Sequence, residues 1–156
     1  EGFVIVRNIL FGYYGESEHV VIPEGVEQIE KGAFSFTFRS PVKKITFPNS
    51  YTYIEDGLCY GSVELQEVIL GSSTQFIGND AFCSCYALRS ITNTENLTII
   101  GFTAFNGAKK LEKLSIGDSC RFPNGLYGCP SLTIEAPKGS STIENAKNAG
   151  IPYIEI

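Results

Sequence analysis

The chain has no Met and no Trp, a single His, and only 12 Lys and Arg against 17 Asp and Glu, which gives a formal net charge of −5 and an isoelectric point near 4.9. Without a basic excess there are few cations to displace counterions from phosphates, so no nucleic-acid partner is expected. Long apolar runs are missing as well. Stretches such as Phe3 to Val6 and Ile9 to Phe11 fall far short of the ~20 residues that a bilayer span requires, and no charged leader precedes an apolar stretch at the N-terminus. Neither membrane insertion by this segment nor a signal peptide is expected, and the absence of Met suggests a mature or excised piece of a longer product. The 156 residues, 43% of them hydrophobic, suffice for one domain that buries about two-thirds of its unfolded surface.

Catalytic and metal-binding signals are equally sparse. The lone His19 reads as a solvated loop residue with no partner suggested by spacing. No phosphate-binding glycine loop, nucleophile elbow or pair of Cys-x-x-Cys knuckles occurs. The carboxylate pairs Glu16/Glu18 and Glu55/Asp56 read as solvated turns. Asn96-Leu97-Thr98 matches a glycosylation acceptor, a triplet that also arises by chance. Five Cys is an odd number, which excludes a complete disulfide framework. No catalytic residue, cofactor or metal is assigned.

What the chain does have is a period. The segments Val42-Lys-Lys-Ile45-Thr-Phe47, Leu65-Gln-Glu-Val68-Ile-Leu70, Leu88-Arg-Ser-Ile91-Thr-Asn93 and Leu111-Glu-Lys-Leu114-Ser-Ile116 share the pattern apolar-x-x-apolar-x-apolar, degenerate only at Asn93. Its middle positions fall at Val20, Ile45, Val68, Ile91, Leu114 and Ile134, spaced by subtraction 25, 23, 23, 23 and 20 residues. A second half-motif rides in phase: Ile29 to Ala33-Phe34, Ile54 to Leu58-Cys59, Ile77 to Ala81-Phe82 and Ile100 to Ala104-Phe105, with a degraded copy at Phe122 to Leu126-Tyr127. Turn formers such as Pro23, Pro48, Gly71, Gly78, Gly101 and Gly117 separate the two. A unit this short cannot bury two apolar faces alone, but stacked copies bury them against one another. The alternation around each middle residue is that of a strand with one wet face.

These in-phase motifs, in particular Ile77-Gly-Asn-Asp-Ala81-Phe82 followed by Cys85 and Leu88, resemble the BspA-type (Treponema pallidum-type) leucine-rich repeats over about residues 20–134. The resemblance implies an α/β-type leucine-rich repeat solenoid, mostly β with little helix, whose parallel sheet stacks about five to six coils of ~23 residues. The family's Cys column is filled here by Thr37, Ser62, Cys85, Ala108 and Cys129. In this scheme Cys85 packs inward and Cys59 replaces a core Phe, whereas Cys83 and Cys120 are less constrained. Residues 1–156 are expected to form a single domain. Residues 1–19 would be an N-terminal cap built on a hairpin that turns at Arg7-Asn8, and 20–134 the repeats. Residues 135–156 would be a cap made of a helix, Ser141 to Ala149, and a final strand, with Ser141 and Glu144 at capping-box spacing.

The wet side chains flanking the middle residues form a ladder: Lys44 and Thr46, Glu67 and Ile69, Ser90 and Thr92, Lys113 and Ser115. This ladder is the candidate partner-binding face, with the aromatics Tyr51, Tyr53, Tyr60, Tyr86 and Phe102 at the opposite turns as a rival. The resemblance implies a non-enzymatic extracellular or cell-surface module that mediates adhesion to a protein or glycan on a host or neighbouring cell. A structural spacer and a carbohydrate-binding module are the alternatives; the latter requires Tyr51, Tyr53 and Tyr60 to converge on one platform.

Overall fold

The computed structural model describes residues 2–31, 33–34 and 41–156. The strands are β1 (Phe3–Val6), β2 (Ile9–Tyr13), β3 (His19–Val21), β4 (Gln28–Ile29), β5 (Lys44–Thr46), β6 (Tyr53–Ile54), β7 (Glu67–Ile69), β8 (Phe76–Ile77), β9 (Ser90–Thr92), β10 (Ile99–Ile100), β11 (Lys113–Ser115), β12 (Thr133–Ala136) and β13 (Tyr153–Glu155). One helix, α1 (Ser141–Ala149), lies before β13. The two half-motifs of each unit become a three-residue strand and a two-residue strand on opposite sides of a solenoid coil.

The three-residue strands pair in parallel and in the register set by the repeat: Ile45 opposes Val20 and Val68, and Val68 opposes Ile91. Each of these middle residues is buried, and so are Leu114 and Ile134 in the last coils. The two-residue strands β6, β8 and β10 make a second, narrower parallel sheet in which Ile54, Ile77 and Ile100 point inward. Between the sheets the Ala-Phe positions fill the coil. Phe82 and Phe105 are fully buried with rings stacked 5.4 Å apart, so each contributes roughly 2–3 kcal/mol of burial free energy. A continuous apolar cluster runs from Leu10 in β2 to Ala146 in α1.

Both ends are covered by the expected devices. β1 and β2 form an antiparallel hairpin whose turn residues Arg7 and Asn8 have φ of 49° and 64°, the twist-compatible geometry of a two-residue loop. β2 then pairs in parallel with β4, taking the place of a preceding coil. At the other end α1 covers β12, and β13 adds in parallel to β12. The helix cap is one residue earlier than its sequence spacing indicates: Ser140, not Ser141, accepts the Ile143 amide at 3.2 Å. Ser141 instead donates its hydroxyl to the Asp118 carbonyl at 3.1 Å. Gly150 closes the helix in the left-handed conformation.

The glycines of the repeat are not all turn punctuation. A Cβ on Gly101 would lie 2.6 Å from the carbonyl carbon of Gly78, and one on Gly71 would overlap the Pro48 carbonyl oxygen; these residues let neighbouring coils touch. Left-handed conformations fall elsewhere in phase, at Gly57, Asp80 and Thr103, and at Gly61, Ser84 and Gly107. Thr103 is β-branched, and at that φ its strain is offset by the hydroxyl, which donates to the Asp80 carboxylate.

Candidate interaction face

The ladder of wet residues forms on one side of the solenoid. Lys44, Glu67 and Ser90 stand in one column, and Thr46, Ile69 and Thr92 in the next, each in direct Cα register with its neighbours. His19 heads the first column. It is the first residue of β3 rather than part of a loop, and its ring lies 3.0 Å from the Thr46 hydroxyl. Lys44 pairs with Glu67 at 3.1 Å across adjacent strands. Glu67 is exposed and Lys44 half-buried at the surface, so the pair orders the side chains and adds little stability.

The ladder does not run unbroken into Lys113 and Ser115. The amides of residues 43 and 44 donate to Glu18, those of 66 and 67 to Lys43, and those of 89 and 90 to Gln66. The equivalent amides one coil on, Glu112 and Lys113, have no such partner, and no backbone hydrogen bond joins β9 to β11. The face therefore consists of a four-stranded sheet, β3-β5-β7-β9, and a three-stranded one, β11-β12-β13. The Thr94 hydroxyl bridges them by donating to the Ser115 carbonyl at 2.6 Å. The parallel strands expected of the stacked coils are present, divided between these two sheets. The 23-residue spacing from Ile91 to Leu114 preserves the stacking of the core, while the strands above it separate.

The separation opens a cleft of about 350 Å³ whose walls include Ser90, Thr92, Lys113 and Ser115, with Arg89 and Glu112 at its sides. Lys113 leans away onto Glu135 of β12 at 2.7 Å, and Ser115 donates to the same carboxylate at 3.1 Å. The hydrogen bond from Lys113 holds the Glu135 carboxyl below its usual range. Glu135 and His19 both belong to this face, and neither was picked out from the sequence. Both flank middle residues of the period, Val20 and Ile134, so their spacing marks them although the ladder read from the four central copies does not include them.

The opposite side divides its aromatics. Tyr53, Tyr60, Tyr86 and Phe102 are exposed, but Tyr51 is only 3% exposed, so the three tyrosines do not converge on one platform. The Tyr51 hydroxyl donates to Glu55, whose same oxygen accepts the Ile29 amide at 3.0 Å. Glu55 is thus no solvated turn residue. It bridges β4 and β6, which belong to separate sheets, and its second carboxylate oxygen is buried with no hydrogen-bond partner among the described residues. Burial raises the pKa of both the Glu55 carboxyl and the Tyr51 phenol.

The cysteines are all thiols. Cys85 donates to the Cys59 carbonyl and Cys129 to the Phe105 carbonyl, both at 3.2 Å, and Ser62 does the same to Phe34. Cys83 and Cys120, expected to be loosely held, are buried. Thr37, the first member of this column, lies outside the described residues. No group of three potential metal ligands occurs among the described residues.

A model of the BspA-type leucine-rich repeat region matches residues 5–133 in six copies. The chain belongs to the BspA-type leucine-rich repeat family. Solved structures show the same fold. A leucine-rich repeat protein of T. pallidum aligns over 94% of this BspA-type chain and 73% of its own, with a TM-score of 0.75 and 21% identity. A leucine-rich cell surface protein of Faecalibacterium prausnitzii A2-165 aligns over 86% of this chain and 42% of its own, with a TM-score of 0.61 and 19% identity. A leucine-rich repeat protein of Bacteroides ovatus ATCC 8483 aligns over 88% and 42%, with a TM-score of 0.54 and 17% identity. No curated protein matches the chain. No helix among the described residues is long and apolar enough to cross a membrane.

Proposed function

We propose that this BspA-type domain is a non-enzymatic, extracellular module that mediates protein–protein or cell-surface adhesion through its strand-ladder face, with Lys44, Thr46, Glu67, Ile69, Ser90, Thr92, Lys113 and Ser115 as contact residues. In this reading 1–156 is one domain, with 1–19 and 135–156 as caps of the repeats at 20–134. The observation that carries it is the cleft between β9 and β11, where four of those eight residues meet around backbone groups with no ladder partner. Unpaired amides and carbonyls beside hydroxyls and a cation suit a protein surface rich in polar groups. The cell-surface description of the F. prausnitzii relative supports the location. Solenoids of stacked repeats use such extended faces for binding.

The test is a binding screen of the purified domain against extracellular-matrix proteins, mucins and a glycan array. A variant with Lys44, Glu67, Ser90, Thr92 and Lys113 all changed to Ala runs beside it, checked for folding by circular dichroism. Saturable binding that the variant loses is the expected result. Binding that the variant keeps removes the ladder face from the account, and no binding at micromolar concentration favours a spacer role.

A further inference from the structure

A second surface, separate from the ladder face, lies on the narrower sheet. Tyr53, Phe76 and Ile99 occupy one outward column in direct Cα register across β6, β8 and β10. An isolated parallel bridge from Ile99 to Arg121 extends that column by one coil, held by the Ile100 amide on the Arg121 carbonyl at 2.8 Å and the Arg121 amide on Thr98 at 2.9 Å. Tyr53 is 45% and Ile99 41% exposed. Ile54, Ile77 and Ile100 already supply the inner face, so Ile99, the half-buried Phe76 and the ring of Tyr53, whose hydroxyl donates to Asp56 at 3.1 Å, put apolar surface on the wet face of the sheet.

At its far end the column opens into a groove of about 480 Å³ lined by Thr98, Ile99, Ser119, Arg121, Ser141 and Asn145. Three of its polar side chains are fixed from behind: Thr98 donates to the Gln75 carbonyl, Ser141 to the Asp118 carbonyl and Asn145 to the Cys120 carbonyl. Arg121 lines the groove, and no carboxylate among the described residues meets its guanidinium, as is also true of Arg7, Lys31, Lys109, Lys110 and Lys138; of these six cations it is the one that continues the apolar column. A planar guanidinium with free donors at the end of an apolar strip is matched by a carboxylate.

The dimensions select the occupant. Three strands and the bridged Arg121, at about 4.8 Å between neighbours, place Tyr53 about 14 Å from Arg121, and an extended chain repeats its side chains on one face every ~6.7 Å. Residues i, i+2 and i+4 of such a chain cover that distance. A flat sugar polymer fits less well, because the Tyr53 and Phe76 rings are tilted 43° to each other at 6.3 Å and share no plane, and the strip is one side chain wide. We propose that this column and groove dock an extended peptide segment of a partner protein, with a carboxylate on Arg121 and two alternate apolar residues over Ile99, Phe76 and Tyr53.

The probe is a phage-displayed library of random twelve-residue peptides panned on the intact domain. The expected winners share an Asp or Glu followed or preceded, at alternate positions, by two apolar residues. A synthetic winner should lose about tenfold or more in affinity with Arg121→Glu, the loss of one charge-assisted pair. It should weaken likewise with Phe76→Ser and keep its affinity with Lys113→Ala. Thermal unfolding checks each variant, and Tyr53→Ser replaces Phe76→Ser if the latter does not fold. Winners without the motif, no enrichment at all, or indifference to Arg121→Glu overturn the proposal. Loss with Lys113→Ala would move the peptide to the ladder face instead. A sulfated oligosaccharide that binds and depends on Arg121 would overturn the peptide assignment.

Discussion

The inward column at positions 62, 85, 108 and 129 allows a quantitative test of how the coils are joined. Ser62, Cys85 and Cys129 each reach back one coil to a carbonyl oxygen at 3.2 Å. The fully buried Ala108 is the member that cannot, and the Phe82 carbonyl is its target by register. Each of the Cys59, Phe82 and Phe105 carbonyls also accepts a turn amide, from Ser62, Cys85 and Ala108 respectively, so removing the side-chain donor does not orphan it. Cys85→Ala therefore loses one weak hydrogen bond, roughly 0.5–1 kcal/mol net, and the burial of one sulfur, about the 0.8 kcal/mol of a methylene. The expected destabilisation is about 1.3–1.8 kcal/mol. Cys85→Ser keeps the donor and should cost less than about 1 kcal/mol, and Ala108→Ser adds the missing bond and should be neutral or stabilising by up to about 1 kcal/mol. Urea denaturation followed by circular dichroism reads all three as midpoint shifts at constant slope. If Cys85→Ser costs as much as Cys85→Ala while Ala108→Ser destabilises by more than about 1 kcal/mol, the donor column does not hold the coils and packing volume alone explains it.

Three further outcomes follow from the same coordinates. Gly71→Ala places a Cβ on the Pro48 carbonyl oxygen and should destabilise by about 1–3 kcal/mol or more, measured by thermal melting; an unchanged melt would show that the coils are not in contact there. Glu55 has a raised pKa in the folded state, so its folded form holds the proton more tightly than its unfolded form. Its contribution to stability is thus present below the ordinary carboxylate range and falls as pH rises through the raised value. Glu135, lowered by Lys113, contributes in the opposite sense, and the two are separated by comparing urea midpoints of Glu55→Gln and wild type from acid to neutral pH. The variant should lack the falling component, and an identical pH profile would contradict the assignment. The thiols of Cys85 and Cys120 are pushed up to about 12 by burial, and so is that of the less buried Cys129. A disulfide reagent should therefore label the native protein slowly, at Cys129 first, and all five sites quickly only after unfolding.

Much of this architecture is legible because a period of 23 residues is a strong constraint. The middle residues Ile45, Val68 and Ile91, and the inward Ile54, Ile77 and Ile100, needed only their spacing to be placed. The hairpin turn at Arg7-Asn8 and the helix stop at Gly150 were equally readable, because Asn8 and Gly150 are residue types that suit a left-handed backbone. Three features were not legible, each for a local reason. The left-handed positions are occupied by Asp80, Ser84 and Thr103 as well as glycine, so composition does not mark them, while Gly71 and Gly101 serve close approach. Glu55 sits in a polar-looking turn, yet it is drawn inward by the Ile29 amide of the preceding coil and by the Tyr51 hydroxyl of its own, contacts separated by 26 and 4 residues. The gap between β9 and β11 leaves the core spacing untouched, so no pattern of apolar residues reports it. The candidate face was legible as a list of residues. That four of them gather around one cleft was not.

The adhesion reading depends on that gap, and amide hydrogen exchange of the domain tests it most directly. The Glu67 amide, bonded to Lys43 at 3.0 Å, and the Ser90 amide, bonded to Gln66 at 3.3 Å, should be protected as members of a continuous ladder. The Lys113 amide, their equivalent one coil on, should exchange markedly faster. Equal protection at all three positions would show that the ladder is closed between β9 and β11, and the cleft on which the proposed binding face rests would not exist.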